Sequence, residues 1–325
     1  MKLLKDLFTI EKKPRRGLVA FEWVVVAYAA VTMLYTLFCW TRLVDPVSML
    51  WGRVSCLALL GAMWGVYRLA PCKLLMFMRL AVQMVMLAWW YPDTYEINRI
   101  LPNLDHVFAS LDQQLFGCQP ALLFHEVMPW GIWAELMDCG YYCYYYMMAG
   151  VMLCYFFMRR QEEWLHCSFI IMAGFFANYV IFDLLPVTGP QYYYCAVGVS
   201  EIAQGHFPDL GAYFMTHQEC LPSPGMEGGV FHELVMSAHN AGERPTAAFP
   251  SSHVGIATIC LCLAIRLRSR ALLYIYVPLY VLLCLSTVYV MAHYAVDALA
   301  GLVAGVAMFF VFDLKPLPTS PKGRS

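Results

Sequence analysis

Two histidines in the C-terminal third of the chain have the surroundings expected of catalytic groups. The stretch AAFPSSHVGIA, residues 247–257, places His253 where an apolar segment begins, and STVYVMAHYAVDALAG, residues 286–301, contains His293 and Asp297. Polar residues at the edge of membrane-spanning segments are costly, so they indicate function. His293 and Asp297 are four residues apart and would share one face of a helix. A carboxylate there can accept a hydrogen bond from one ring nitrogen and leave the other free as a nucleophile or base.

The residues just before His253 predict the start of a helix. Pro250 disfavours helix before it, and Ser251 or Ser252 can provide the N-cap. The free backbone N–H groups of such a helix end bind anions, phosphate above all. Two histidines, one aspartate and an anion-binding helix end predict phosphoryl transfer without a metal or other cofactor. His293 would attack phosphorus, and His253 would protonate the leaving oxygen.

The composition places these motifs in a membrane protein. Of 325 residues, 61% are hydrophobic and 13% are charged, against about 25% charged residues in a soluble domain. The net charge of −1 gives no reason to expect a nucleic-acid partner. Apolar runs of roughly 18 or more residues predict spanning helices. We therefore expect an all-α integral membrane protein with about eight such helices: 18–40, 48–69, 74–91, 136–158, 165–187, 251–267, 271–290 and 294–313. The first is too long, and lacks the small-residue cleavage site, for a cleaved signal peptide.

The lysines and arginines predict the orientation of these helices. Alternate connections and the two ends of the chain carry 17 of the 21 basic residues. The other side carries only Arg42, Arg53, Arg99 and Arg244. Because basic residues accumulate on the cytoplasmic side, both termini should be cytoplasmic. Segments 92–135 and 188–250 should then lie outside, and His253 and His293 should reach the same outer face.

Four short segments resemble a known enzyme family. FPSSH and HYAVD are similar to the second and third signature motifs of the type-2 phosphatidic acid phosphatase superfamily. LDQQLFGCQPA, residues 111–121, and LLPVTGPQYYY, residues 184–194, resemble one branch, the inositol phosphorylceramide (aureobasidin-target) synthases and their bacterial relatives. The resemblance implies a six-helix core, a phosphohistidine intermediate and no required metal. It also implies His293 as nucleophile, Asp297 as its partner and His253 as general acid and base.

The resemblance also predicts how the chain is divided. It covers residues 74–313, so that range would be the catalytic core, with segments 92–135 and 188–250 on its outer side. Residues 18–73 would be an added transmembrane hairpin. Residues 1–17 and 314–325 would be cytoplasmic tails.

The chain departs from the phosphatases of this superfamily in its basic residues. Those enzymes carry a Lys and an Arg in their first motif and an Arg six residues before the nucleophile, where this chain has Thr287. Gln191 stands where relatives often have Arg, and Arg244 is a weak replacement. A phosphomonoester dianion in a low-dielectric pocket needs several cations or strong donors, whereas a diester carries one charge. The departures therefore favour transfer of a lipid phosphodiester over phosphatase activity.

These observations predict a lipid phosphotransferase. The branch suggests phosphatidylinositol as donor and ceramide or dihydroceramide as acceptor. Candidates for substrate and phosphate binding are Ser251, Ser252, Gln191, Arg244 and Tyr294. Two alternatives stay open, a lipid phosphate phosphatase acting on phosphatidic acid or a polyprenyl diphosphate, and a transporter or scaffold with an inactive site. The compact chain favours a bacterial inner membrane, with the site facing the periplasm.

Several other polar residues have simpler interpretations. The outer segment contains His206, His217, His232 and His239, whose spacing gives no compact metal motif. We interpret them as solvated loop residues. The one for which we weigh another role is His239, because it is close to Arg244 in sequence. The run YYCYYY, residues 141–146, is expected to pack within the membrane. Cys195 and Cys220 both lie in the outer segment, where a disulfide between them is one alternative.

Overall fold

The computed structural model describes residues 6–314, and the regular structure in this range is helical. A single isolated β-bridge joins Ile10 to Cys72. Residues 1–5 and 315–325, parts of the two predicted cytoplasmic tails, lie outside the described range. The helices are α1 (Ala20–Phe38), α2 (Pro46–Leu69), α3 (Lys73–Asn98), α4 (Asp105–Phe116), α5 (Pro120–Val127), α6 (Gly131–Met158), α7 (Gln161–Leu184), α8 (Pro190–Val197), α9 (Val199–Ala203), α10 (Val230–Gly242), α11 (Ser252–Leu267), α12 (Arg270–Tyr289) and α13 (Ala295–Phe312). A 3-10 turn covers Tyr213–Met215.

Each of the eight predicted spans coincides with a helix, which confirms the all-helical class. Within the described residues, 6 helices are long and apolar enough to cross a membrane, namely α1, α2, α3, α7, α12 and α13. The other two are α6, which is rich in tyrosine, and α11, which has 16 residues. The protein is thus an integral membrane protein with six candidate spans, and a total of eight stays a prediction.

The connections gather at the two ends of this helical bundle. At one end, Asn103 donates from its backbone N to the Gly211 carbonyl at 2.8 Å, and the Tyr95 hydroxyl donates to the Phe214 carbonyl at 2.7 Å. These bonds join segments 92–135 and 188–250. At the opposite end, the Glu11 backbone N donates to the Pro71 carbonyl at 2.8 Å. The two segments predicted to share a face therefore lie together, next to the start of α11.

Helices α11 and α13 cross closely because glycines lie at their contact. A Cβ added to Gly301 would lie 2.5 Å from the Ser251 carbonyl oxygen, and one added to Gly305 would collide with the Gly255 carbonyl. The Ser251 backbone N donates to the Asp297 carbonyl at 3.0 Å. Residues 251–253 and 293–297 are therefore held together by direct backbone contact.

The N-terminal hairpin is attached to the rest of the bundle through buried ion pairs. Arg53 of α2 makes a two-bond contact with Asp93 of α3, at 2.6 and 3.1 Å. Arg79 of α3 pairs with Glu22 of α1. All four side chains are buried. Arg53, which the sequence counts among the outer basic residues, therefore lies inside the protein, where Asp93 compensates its charge.

Candidate active site

His293 is held by backbone groups in the short connection between α12 and α13. Its backbone N donates to the Thr287 carbonyl at 3.1 Å, and its Nδ1 lies 2.8 Å from the Ala248 carbonyl oxygen. A carbonyl oxygen can only accept, so Nδ1 carries the hydrogen. The neutral ring then has its lone pair on Nε2. This is the tautomer that a nucleophile needs.

The environment of His293 also favours the neutral ring. Burial lowers the pKa of His293 from its usual 6.5 to about 4, although the hydrogen bond to Ala248 and the negative charge of Glu243 oppose this shift. Desolvation disfavours the charged imidazolium. His293 is therefore uncharged at neutral pH.

Asp297 does not make the expected hydrogen bond to the His293 ring. Its Oδ2 lies 3.8 Å from Nδ1 and instead accepts from the Tyr294 backbone N at 2.9 Å. The reason is that α13 begins at Ala295, so His293 precedes the helix and Asp297 caps its first turn. The Ala248 carbonyl takes the place predicted for the carboxylate, and Asp297 caps the helix that follows His293.

His253 lies in the first turn of α11 among aromatic rings. Ser251 is the N-cap, as predicted, and its side chain accepts from the Val254 backbone N at 3.4 Å. The His253 ring centroid lies 4.5 Å from that of Tyr141 and 4.7 Å from that of Tyr144. Part of the YYCYYY run therefore lines the site, where only packing was expected.

The two imidazoles face each other across one cleft. Their ring centroids are 5.7 Å apart. The cleft has a volume of about 340 Å³. Its polar lining includes Ser252, Gln191 and Glu243. Gln191 is fixed by a 2.6 Å hydrogen bond from Nε2 to the Leu221 carbonyl. No lysine or arginine lines the cleft within residues 6–314.

Three residues expected to bind substrate are placed elsewhere. Tyr294 is fully buried, and its hydroxyl donates to Asp105 at 3.0 Å. Arg244 lies outside the cleft lining, and its guanidinium donates to the Glu243 carbonyl at 2.9 Å. Ser251 is buried, and its hydroxyl oxygen serves the α11 cap. Arg99, another of the arginines predicted on the outer side, pairs with Glu96. Ser252 and Gln191 are thus the predicted binding residues that reach the cleft.

Two buried aspartates on α4 shape the site, although no role was predicted for them. Asp105 accepts from the Thr188 and Gly189 backbone N atoms at 2.7 and 2.8 Å. Asp112 accepts from the Ala295 and Val296 backbone N atoms, both at 2.9 Å. Seven residues separate them, which is two helical turns, so both face the same side of α4. Asp105 fixes the loop before α8, and Asp112 caps the helix that follows His293.

A large apolar chamber opens beside His253. It encloses about 1480 Å³ of space, part of it open to solvent, and it lies between α3, α6, α7, α10 and α11. The lining includes Met84, Val85, Met148 and Phe175. Tyr91, Tyr141, Glu243, Ser252 and His253 line both the chamber and the cleft. A hydrocarbon chain in the chamber would therefore place its polar end at the histidines.

The four histidines of segment 188–250 have more varied surroundings than predicted. His206 and His217 are exposed, in agreement with the interpretation as loop residues. His232 is not solvated, because its Nδ1 lies 3.0 Å from the buried Asp138 Oδ2. His239 pairs through Nδ1 with Glu243 at 2.6 Å. The Cys195 and Cys220 thiols are both free.

Comparison with known proteins agrees with the motifs. Residues 106–311, more than half of the chain, match the PAP2 superfamily. The matched range contains both histidines and Asp112 of α4, and it begins directly after Asp105. No curated protein and no solved structure matches the chain.

Proposed function

Since this chain belongs to the PAP2 superfamily of membrane lipid phosphatases and phosphotransferases, we propose that it transfers a phospho-headgroup between lipids. The donor would be a glycerophospholipid, and the acceptor a ceramide-type alcohol. The observation that carries this proposal is the cleft itself. It combines two imidazoles with a carboxylate, lacks lysine and arginine in its described lining, and opens onto an apolar chamber.

The first half of the reaction would form a phosphohistidine. The Nε2 lone pair of His293 attacks the donor phosphorus, so an N–P bond forms and the P–O bond to diacylglycerol breaks. His253, which becomes protonated when the negatively charged diester binds beside it, gives this proton to the leaving oxygen. The Ala248 carbonyl keeps the Nδ1 hydrogen in place and stabilises the positive charge on the phosphorylated ring.

The second half would transfer the headgroup to the acceptor. His253, now neutral, takes the proton from the acceptor hydroxyl, whose oxygen attacks the phosphorus. The new P–O bond replaces the N–P bond, and His293 returns to its neutral form. Because both lipids react at the same phosphorus, the leaving and attacking alcohols occupy the chamber side of the cleft in turn.

The charges of the cleft favour a diester over a monoester. Its donors are the start of α11, the Ser252 hydroxyl and the Gln191 amide, all uncharged groups that suit a single negative charge. Glu243 would repel a phosphomonoester dianion in the same space. This supports transferase activity rather than phosphatase activity.

The finer identity of the substrates rests on the resemblance of residues 111–121 and 184–194. On that basis we propose phosphatidylinositol as donor and ceramide or dihydroceramide as acceptor. We also propose a bacterial inner-membrane location with the site facing the periplasm. Tags placed near residue 240 and near residue 268 test the orientation. The first should react with a membrane-impermeant reagent in intact cells and the second should not.

The activity is tested with purified protein, phosphatidylinositol and a fluorescent ceramide. We expect a fluorescent inositol phosphorylceramide and an equal amount of diacylglycerol. His293→Ala should abolish both products, whereas His206→Ala, an exposed outer histidine, should leave them unchanged. Release of phosphate from phosphatidic acid with no new sphingolipid would replace the proposal with the phosphatase alternative. Equal activity of His293→Ala and the wild type would remove His293 from the mechanism.

A further inference from the structure

A second histidine–carboxylate pair lies at the junction between the cleft and the apolar chamber. Glu243 lines both spaces, and its Oε2 lies 2.6 Å from Nδ1 of His239. The pair is mostly buried, with side-chain exposures of 17% for His239 and 23% for Glu243. On its other side, His239 contacts the Cys220 thiol at 3.7 Å. The carboxylate is therefore held in place beside the catalytic histidines.

The charge state of this pair is set by its neighbours. Hydrogen bonds with Cys220 and Glu243 raise the pKa of His239 to about 10. His239 is therefore protonated at neutral pH, and its Nδ1–H donates to the Glu243 side chain. An ionised carboxylate accepts hydrogen bonds and donates none.

The proposed reaction leaves Glu243 without a part in proton transfer. The acceptor hydroxyl has one hydrogen, and that hydrogen goes to His253 when its oxygen attacks phosphorus. Glu243 lies where the polar end of a chain in the chamber would meet the cleft. A carboxylate in that place can accept a hydrogen bond from a second N–H or O–H group of the acceptor, close to the hydroxyl that reacts.

We propose that Glu243 selects the acceptor by binding a second hydrogen-bond donor, a hydroxyl or amide N–H next to the reacting hydroxyl. This assignment rests on the transferase function proposed above. His239 is a positioning residue that holds the carboxylate toward the junction.

Glu243 would discriminate between the two alcohols that bind at the site, the ceramide-type acceptor and the released diacylglycerol. A ceramide-type lipid has an amide N–H and a second hydroxyl beside its primary hydroxyl, whereas diacylglycerol has one hydroxyl and no other donor. Glu243 would therefore bind the acceptor better than the released diacylglycerol. The phosphohistidine would therefore react more often with the amide-alcohol than with diacylglycerol, while the equilibrium between the lipids stays unchanged.

The test compares two acceptors in two enzymes. The enzymes are the wild type and Glu243→Gln, and the acceptors are a fluorescent ceramide and a fluorescent diacylglycerol with the same chains. Transfer from labelled phosphatidylinositol is measured with each acceptor, and phosphohistidine formation is measured in a single turnover without acceptor. Glu233→Gln is the matched control, because Glu233 is an exposed carboxylate on α10, the helix that ends just before Glu243.

The expected result is a selective loss. Because a hydrogen bond to a charged group is worth about tenfold or more in binding, Glu243→Gln should lower kcat/KM for ceramide by at least that factor. Exchange into diacylglycerol and phosphohistidine formation should not fall, since neither uses a second donor and the variant also removes a negative charge that repels the substrate phosphate. His239→Ala should show the same selective loss. His239→Asn, which keeps an N–H donor near the Nδ1 position, should recover part of it.

Other outcomes would overturn the assignment. An equal loss with both acceptors, or an equal loss of phosphohistidine, would mean that Glu243 acts on the catalytic histidines or on folding. Unchanged ceramide transfer would mean that it binds no acceptor group. If the wild type forms phosphohistidine but transfers to neither lipid, the proposed transferase function fails first, and the acceptor assignment fails with it.

Discussion

At the scale of single residues, the site depends on which atom holds each hydrogen. The Ala248 carbonyl places the hydrogen of His293 on Nδ1, and burial keeps the ring neutral. The sequence predicts both histidines because imidazoles at the ends of apolar segments are costly without a purpose. It cannot predict Ala248 or Tyr141 as their partners, because these contacts arise only when distant segments meet.

The pH dependence of phosphohistidine formation tests the state of His293. With a pKa of about 4 in the folded protein against 6.5 normally, the nucleophile stays neutral as pH falls through 6.5 and becomes protonated near 4. We therefore expect its loss as a nucleophile between about pH 5 and 3. Single-turnover labelling with phosphatidylinositol from about pH 3 to about pH 8, in steps of about half a pH unit, would measure this loss.

The same shift affects stability, with a definite sign. Between pH 6.5 and about 4 the unfolded chain binds a proton at His293 that the folded chain does not. This contribution to stability is therefore present above 6.5 and lost as pH falls toward 4. A nucleophile that titrates near 6.5 in the labelling experiment would contradict both statements.

Asp105 gives a second prediction at this scale. Asp105→Asn replaces one accepting oxygen with an amide that donates, so at least one of the Thr188 and Gly189 amides loses its partner. We expect about 1–3 kcal/mol lower stability for each unsatisfied buried group. Thermal unfolding in detergent measures this, with the exposed Glu126→Gln on α5 as control. Equal melting temperatures for the two variants would show that the α8 loop does not depend on Asp105.

At the scale of elements, the hydrophobic runs predicted where the long helices lie. They did not predict where these helices end or which polar side chains they bury. Helix α3 continues through Pro92 to Asn98, beyond the predicted end at Tyr91. Helix α4 directs Asp105 and Asp112 into the protein, where they bind the loop before α8 and the start of α13. A periodic pattern identifies an apolar face, but the partner of a buried carboxylate depends on the approach of another element.

The close crossing of α11 and α13 gives a prediction for these elements. Gly305→Val would place a side chain against the Gly255 carbonyl and push the two helices apart. Because a misplacement of about 1 Å can cost on the order of 100-fold in rate, we expect a comparable loss of phosphohistidine formation. Gly61→Val on α2 is the matched control, since a Cβ there meets nothing within 4 Å. If both variants retain full labelling, the spacing of these helices does not set the histidine geometry.

At the scale of the whole molecule, the hairpin is joined to the core by charge as well as by packing. Counting basic residues along the sequence treats Arg53 as an outer charge, because the sequence does not show that Asp93 lies beside it. In the folded protein both are buried and paired. The overall division into an added hairpin and a catalytic core stays a prediction.

Breaking the Arg53–Asp93 pair tests this connection. Arg53→Met or Asp93→Leu alone leaves one uncompensated buried charge, which should cost about 3–5 kcal/mol. The double variant removes both charges and should recover most of that loss. Melting temperatures of the four proteins in detergent form a double-mutant cycle. Additive losses would show that the two side chains do not interact.

The backbone carbonyl that binds His293 has a consequence for how this enzyme can vary. Every amino acid at position 248 carries the same carbonyl, so a point mutation there cannot delete the acceptor that orients the nucleophile. In an active site that uses a carboxylate for this purpose, one base change can remove it. Here the backbone conformation determines the orientation of the nucleophile. It can be lost only by changes that move residues 247–250.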